Sequence, residues 1–129
     1  MTWAALRAYN DGGSVGAVES SLLGTLITAP YLRLSSAVEA LKREDFSSPH
    51  YGAAFAAIMR LPHPEAVLVA HELDASEVAP PAGSYGWGTV VSALLDGALV
   101  DGDAVDTAAR AVKNAARERA ILARRAGKP

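Results

Sequence analysis

The sequence predicts an all-α fold, a compact bundle of about six helices that ends in a longer C-terminal helix. Three observations predict it. Alanine, the best helix former, is abundant along the chain. Apolar residues recur at three- and four-residue spacing in one segment after another, and no strictly alternating run suggests a strand. Proline, glycine and serine fall between those segments, where caps and turns belong. The 129 residues suit one domain. The reading divides them into an N-terminal extension, 1–13, and a single helical domain, 14–129.

In the extension, Trp3, Leu6 and Tyr9 give one or two helical turns over 2–9, ended by Asp11-Gly12-Gly13. Ser14 is the N-cap of a helix from Val15 to Ala29, with Val18, Leu22, Leu23, Leu26 and Ile27 on one apolar face. Pro30 stops it. A helix from Tyr31 to Leu41 is expected to bury Leu34, Val38 and Leu41. A charged turn, Lys42 to Phe46, follows with Phe46 as its apolar anchor. Ser48-Pro49 then reads as N-cap and first helical residue, opening a helix to Leu61 with Phe55, Ile58 and Met59 inward. Glu65 to Leu73 is a short helix offering Val67, Leu68, Ala70 and His71 for packing. Residues 74–83, with Pro80-Pro81 and Gly83, form the longest loop. Ser84 to Leu95 carries Trp87, Val90, Val91, Leu94 and Leu95, and the last helix runs from Asp103 to about Arg125 after a turn over 96–102. Short connections make neighbouring helices roughly antiparallel.

Composition narrows the function classes. Cysteine is absent, which excludes disulfides, thiolate nucleophiles and Cys-ligated zinc. No apolar run approaches the ~18 residues of a membrane span. Met1 to Arg7 lacks the pattern of a secretion signal, so a cytoplasmic protein away from membranes is expected. The net charge of −2 is unevenly spread. Residues 110–128 hold seven cations against Glu118, a net of +6, which leaves −8 on the rest. Such asymmetry suits an acidic partner, a phosphate backbone or the acidic body itself.

At ~100° per residue the last helix is amphipathic. Val105, Ala108, Ala109, Val112, Ala115, Ala116, Leu122 and Ala123 fall on one face, and Arg110, Lys113, Arg117 and Arg124 lie opposite. Arg119 sits in the middle of the apolar face, where it either snorkels or marks the point at which packing gives way to an interface. Arg110, Lys113, Arg117, Arg119 and Arg124 are the candidate partner-binding residues. A solvated basic face near a helix C-terminus, favoured by the helix dipole, accounts for the same pattern without a partner.

Catalytic patterns are missing. No G-x-x-x-x-G-K-[ST] loop occurs, and the glycine-rich run from Gly83 to Gly88 has no following lysine and no preceding strand. His71-Glu72 opens like a zinc-protease motif, but Ala75 stands where the second ligand belongs. Asp101-Gly102-Asp103 opens like a calcium loop, but Asp106 replaces its glycine and Val112 its final glutamate. His50, His63 and His71 are scattered, and Ser20, Ser21 and Ser47 have no His/Asp partners in sequence. No catalytic, cofactor or metal site is expected, and the chain is not expected to be an enzyme.

Three stretches in order carry a family resemblance. Glu19-Ser20-Ser21-Leu22-Leu23-Gly24-Thr25-Leu26-Ile27 is the first. The second is Glu44-Asp45-Phe46-Ser47-Ser48-Pro49-His50, followed by Phe55, Ala57-Ile58 and Leu61. The third is Ala108 to Arg119, with Val112-Lys113, Arg117 and Arg119. Together, over residues 17–125, they resemble the N-terminal head domain of the bacterial replicative DNA helicase family (DnaB-like). The resemblance implies a non-catalytic, DNA-replication-linked protein-interaction module of the primosome. It also implies self-association, as in a homodimer, or binding of replicative helicase, primase or helicase loader.

The departures matter. These residues contain no RecA-like motor and no second helix of the family's hairpin, Thr107 or Ala108 stands where the family has tyrosine, and the loop after Leu61 is shorter. The contrasting reading is a small nucleic-acid-binding protein that uses the basic C-terminal helix, with salt-sensitive affinity. Gly24 inside a helix costs ~1 kcal/mol relative to alanine. It therefore predicts the close approach of another helix, expected from the Phe46 side.

Overall fold

The computed structural model describes residues 15–98 and 102–127, and these form helices, turns and loops, with no strand among them. The described residues form six α-helices: α1 (Val15–Thr28), α2 (Ser36–Glu39), α3 (Pro49–Arg60), α4 (Ala66–Ala75), α5 (Trp87–Asp96) and α6 (Gly102–Ala126). Two 3-10 turns, Pro30–Leu34 and Arg43–Asp45, link the early ones. The expected helix over 2–9 and the Ser14 cap lie outside the described residues.

Helix α1 is the axis of the bundle and packs against α3, α5 and α6. Its burial is wider than one face. Besides Val18, Leu22, Leu23, Leu26 and Ile27, it buries Glu19, Ser21, Gly24 and Thr25. The Thr25 hydroxyl donates to the Ser21 carbonyl at 2.8 Å, so its polar atom is satisfied inside the core. Gly24 does mark a close approach, but α5 makes it. A Cβ at Gly24 would lie 1.9 Å from the Leu94 carbonyl oxygen. The Phe46 side is closed differently. Phe46 stacks on Phe55 with ring centroids 4.9 Å apart, and Gly52 of α3 seats the Arg43 carbonyl.

The Tyr31–Leu41 helix is corrected to a 3-10 turn, a break at Ser35 with ψ 134°, and the short α2. Tertiary hydrogen bonds explain the break. The Arg33 guanidinium donates to the carbonyls of Ile58 and Leu61, at 2.8 Å each, and so caps the C-terminal end of α3. The Ser35 hydroxyl donates to Asp106 of α6. Val38 and Leu41 are buried as expected, whereas Leu34 is 77% exposed. In α4 the buried line is Val69 and Leu73, four residues apart. Val67 and Leu68 face solvent instead of packing, as does His71.

Local chemistry agrees with the remaining elements. Ser48 accepts from the backbone N–H groups of His50 and Tyr51, with Pro49 next, so α3 starts where its cap dictates. Helix α5 starts three residues later than expected. Gly83 and Gly86 adopt φ of 84° and 120°, which turns the glycine-rich run into a loop before Trp87. Trp87 is buried, and its indole N–H donates to the Val78 carbonyl at 3.1 Å, which ties down the long loop.

Candidate interaction surface on the C-terminal helix

Helix α6 has 25 residues and is therefore about 37 Å long. Its first half is core. Val105, Ala108, Ala109, Ala111, Val112 and Ala115 are buried against the bundle. The small alanine side chains let α1, α2 and the 43–45 turn come close to this helix. Beyond Arg119 the helix runs clear of the body, and every described residue from 120 to 127 is exposed. The expected apolar face is thus covered only in its first part. Leu122 and Ala123 at its far end meet solvent, and Ile121 on the other side is 44% exposed.

The five candidate cations divide into two groups. Lys113 and Arg119 turn inward to one acceptor residue. The Lys113 ammonium lies 3.0 Å from a carboxylate oxygen of Asp45, and the Arg119 guanidinium donates to the Asp45 main-chain carbonyl at 2.7 Å. The same Asp45 oxygen accepts the Lys42 N–H at 2.8 Å, closing the 3-10 turn. Arg119 is therefore not free: it is a strap across the 43–47 segment, at the point beyond which the helix leaves the body. Arg110, Arg117 and Arg124 are exposed and form no ion pair among the described residues.

Next to the strap lies a group that sequence spacing did not single out. Glu19 of α1 is fully buried, and its two carboxylate oxygens accept the Ser47 N–H at 3.1 and 2.9 Å. The Ser47 hydroxyl donates to it as well, at 2.9 Å. Burial pushes the Glu19 carboxyl above its ordinary value of 4.5. The two Ser47 hydrogen bonds and the nearby Arg119 charge pull it back only in part. The one signal in the sequence was an acid among apolar positions of a central helix, which calls for an internal partner.

Elsewhere the surface offers shallow grooves. One, between α2 and α6, has a floor of Ala37, Ala40 and Ala109 and a rim that includes Arg110, Lys113 and Arg117. Another is lined by Tyr31, Leu34, Met59 and Leu61. Among the described residues, no group of three His, Cys, Asp or Glu side chains is arranged to hold a metal ion. No helix among them is long and apolar enough to cross a membrane. No family model matches the chain, and no curated protein or solved structure does so either.

Proposed function

We propose that the chain is a non-catalytic, cytoplasmic protein-interaction module of DNA replication, similar to the N-terminal head of the replicative helicase family. One observation carries the reading. The three stretches of the resemblance, far apart in sequence, meet at one polar cluster. Glu19 comes from the first, Asp45 and Ser47 from the second, and Lys113 and Arg119 from the third. Motif residues that serve only their own helix would not be expected to converge in this way. The protruding end of α6 supports an interaction role, because exposed apolar residues beside cations suit a partner surface.

The test is to mix the purified protein with the replicative helicase and primase of its own host and follow size-exclusion chromatography. Co-elution with either at micromolar concentration is expected. Elution of all three apart would sink the proposal. A second reading, nucleic-acid binding, is favoured by the exposed line of Arg110, Arg117 and Arg124. A gel shift of duplex DNA at low salt that fades steeply as salt rises would support it.

A further inference from the structure

Arg110, Arg117 and Arg124 are seven residues apart and all exposed on α6, the first two also edging the groove between α2 and α6. Seven residues return to nearly the same angle on a helix and advance about 10.5 Å. Asn114 and Ile121 fill the intervening three- and four-residue steps. The outward side of α6 is therefore one straight seam, Arg110-Asn114-Arg117-Ile121-Arg124, in the register of a coiled coil. Its one large apolar residue, Ile121, is 44% exposed between two of the arginines.

We infer that this seam is a docking surface for an acidic helix of a partner protein. The inference rests on the interaction role proposed above and names its surface and partner chemistry. A helix laid alongside α6 repeats at the same ~10.5 Å, so one acid per heptad reaches each arginine and an apolar residue covers Ile121. Two other occupants fit less well. A second copy pairing the same seam sets arginine against arginine when parallel in register or antiparallel about Arg117, where like charges repel, and the shifted antiparallel register sets Arg117 on Ile121 and Arg124 on Asn114 with no acid for either. A nucleic-acid backbone has no use for Ile121. It would also meet a surface from which Lys113 and Arg119 have been withdrawn to Asp45, on a body that is net acidic.

The test uses a three-heptad helical peptide with a glutamate-leucine seam, its lysine-leucine counterpart, and a DNA duplex, each followed by fluorescence anisotropy at physiological salt. The acidic peptide binds and the lysine peptide does not. Arg124→Glu weakens binding about tenfold, and Arg117→Glu with Arg124→Glu weakens it further. Arg125→Glu, which changes the same charge ~100° round the helix from Arg124, weakens it by less than about threefold. Equal losses in R124E and R125E, no binding of the acidic peptide, or tighter binding of the duplex would each overturn the seam. Circular dichroism checks that the variants, all at exposed positions, keep their helix content. In the helicase and primase mixture, a double variant that still co-elutes overturns the seam and leaves the proposed function standing. A wild-type protein that fails to co-elute removes that function, and the peptide result then decides the seam independently.

Discussion

Replacing Gly24 by alanine sets two effects of opposite sign against each other. In a helix with free space around it, the change stabilises by about 1 kcal/mol, because glycine loses more backbone freedom on folding. Gly24 has no such space. The new methyl carbon would lie 1.9 Å from the Leu94 carbonyl oxygen, 2.7 Å from the Leu94 carbonyl carbon and 3.3 Å from the Leu95 nitrogen. Non-bonded heavy atoms normally rest about 3.5–4.0 Å apart, so α1 and α5 must separate by well over about 1 Å. Both obstacles are backbone, and no rotamer change removes them. Moving α5 also disturbs Trp87, Val91 and Leu94, each buried to within 2%. Overpacking of this kind costs about 1–3 kcal/mol or more, which outweighs the propensity gain. The expected outcome of Gly24→Ala is a net loss of about 1–2 kcal/mol in urea unfolding followed by circular dichroism. In a thermal melt it is a fall of about 3–10 °C. Gly88→Ala is the control, since a Cβ there meets nothing within 4 Å. It should be neutral or gain up to about 1 kcal/mol. A Gly24→Ala protein as stable as wild type, beside a stabilised Gly88→Ala, would refute the close-packing argument.

Other expectations follow from single contacts. Glu19 has a folded-state pKa raised above 4.5, so the native state holds its proton more tightly than the unfolded chain does. Its contribution to stability is complete below 4.5 and is lost as pH rises through the raised value. Glu19→Gln should flatten that decline in a pH series of urea midpoints, and an unchanged slope would argue against it. Ser48→Ala removes the acceptor for His50 and Tyr51 N–H and should cost about 1 kcal/mol in thermal unfolding, whereas Ser48→Asp should keep most of the stability. Trp87→Phe deletes the 3.1 Å bond to the Val78 carbonyl and should lower the urea midpoint by the equivalent of about 1 kcal/mol or more.

Helix positions were legible wherever a local signal dictates them. Ser48-Pro49 starts α3 through its own hydroxyl and ring, and Pro30 ends the α1 segment within a residue or two of where spacing alone puts it. The segment after Pro30 was not legible, because long-range bonds break it. Arg33 reaches carbonyls of α3 and Ser35 reaches Asp106, and neither partner can be read from the residues nearby. The same limit applies to the candidate surface. Angle placed the basic line of α6 correctly, since 100° per residue is a local rule. It could not tell that Lys113 would fold back on Asp45, because that requires knowing that the 43–45 turn lies beside α6. Arg119 drew attention as a charge on an apolar face, and what it meets there is a main-chain carbonyl.

The two fates of the cations bear on how the +6 segment should be counted. A formal charge invites the view that the whole helix end is available to a partner. Lys113 and Arg119 instead hold the 43–47 segment, and through Ser47 they lie next to the buried Glu19. Removing either is expected to loosen the junction of α1, α3 and α6, so weaker partner binding in such a variant would report a damaged scaffold. Arg110, Arg117 and Arg124 make no ion pair within the described fold, and their replacement tests recognition directly. The helix thus does two jobs along its length. As far as Arg119 it supplies an alanine face and two inward cations to the core. Beyond Arg119 it carries arginines and exposed apolar residues clear of the body, where they pack against nothing in the described fold, and any partner that binds there must supply the apolar cover and the acids itself.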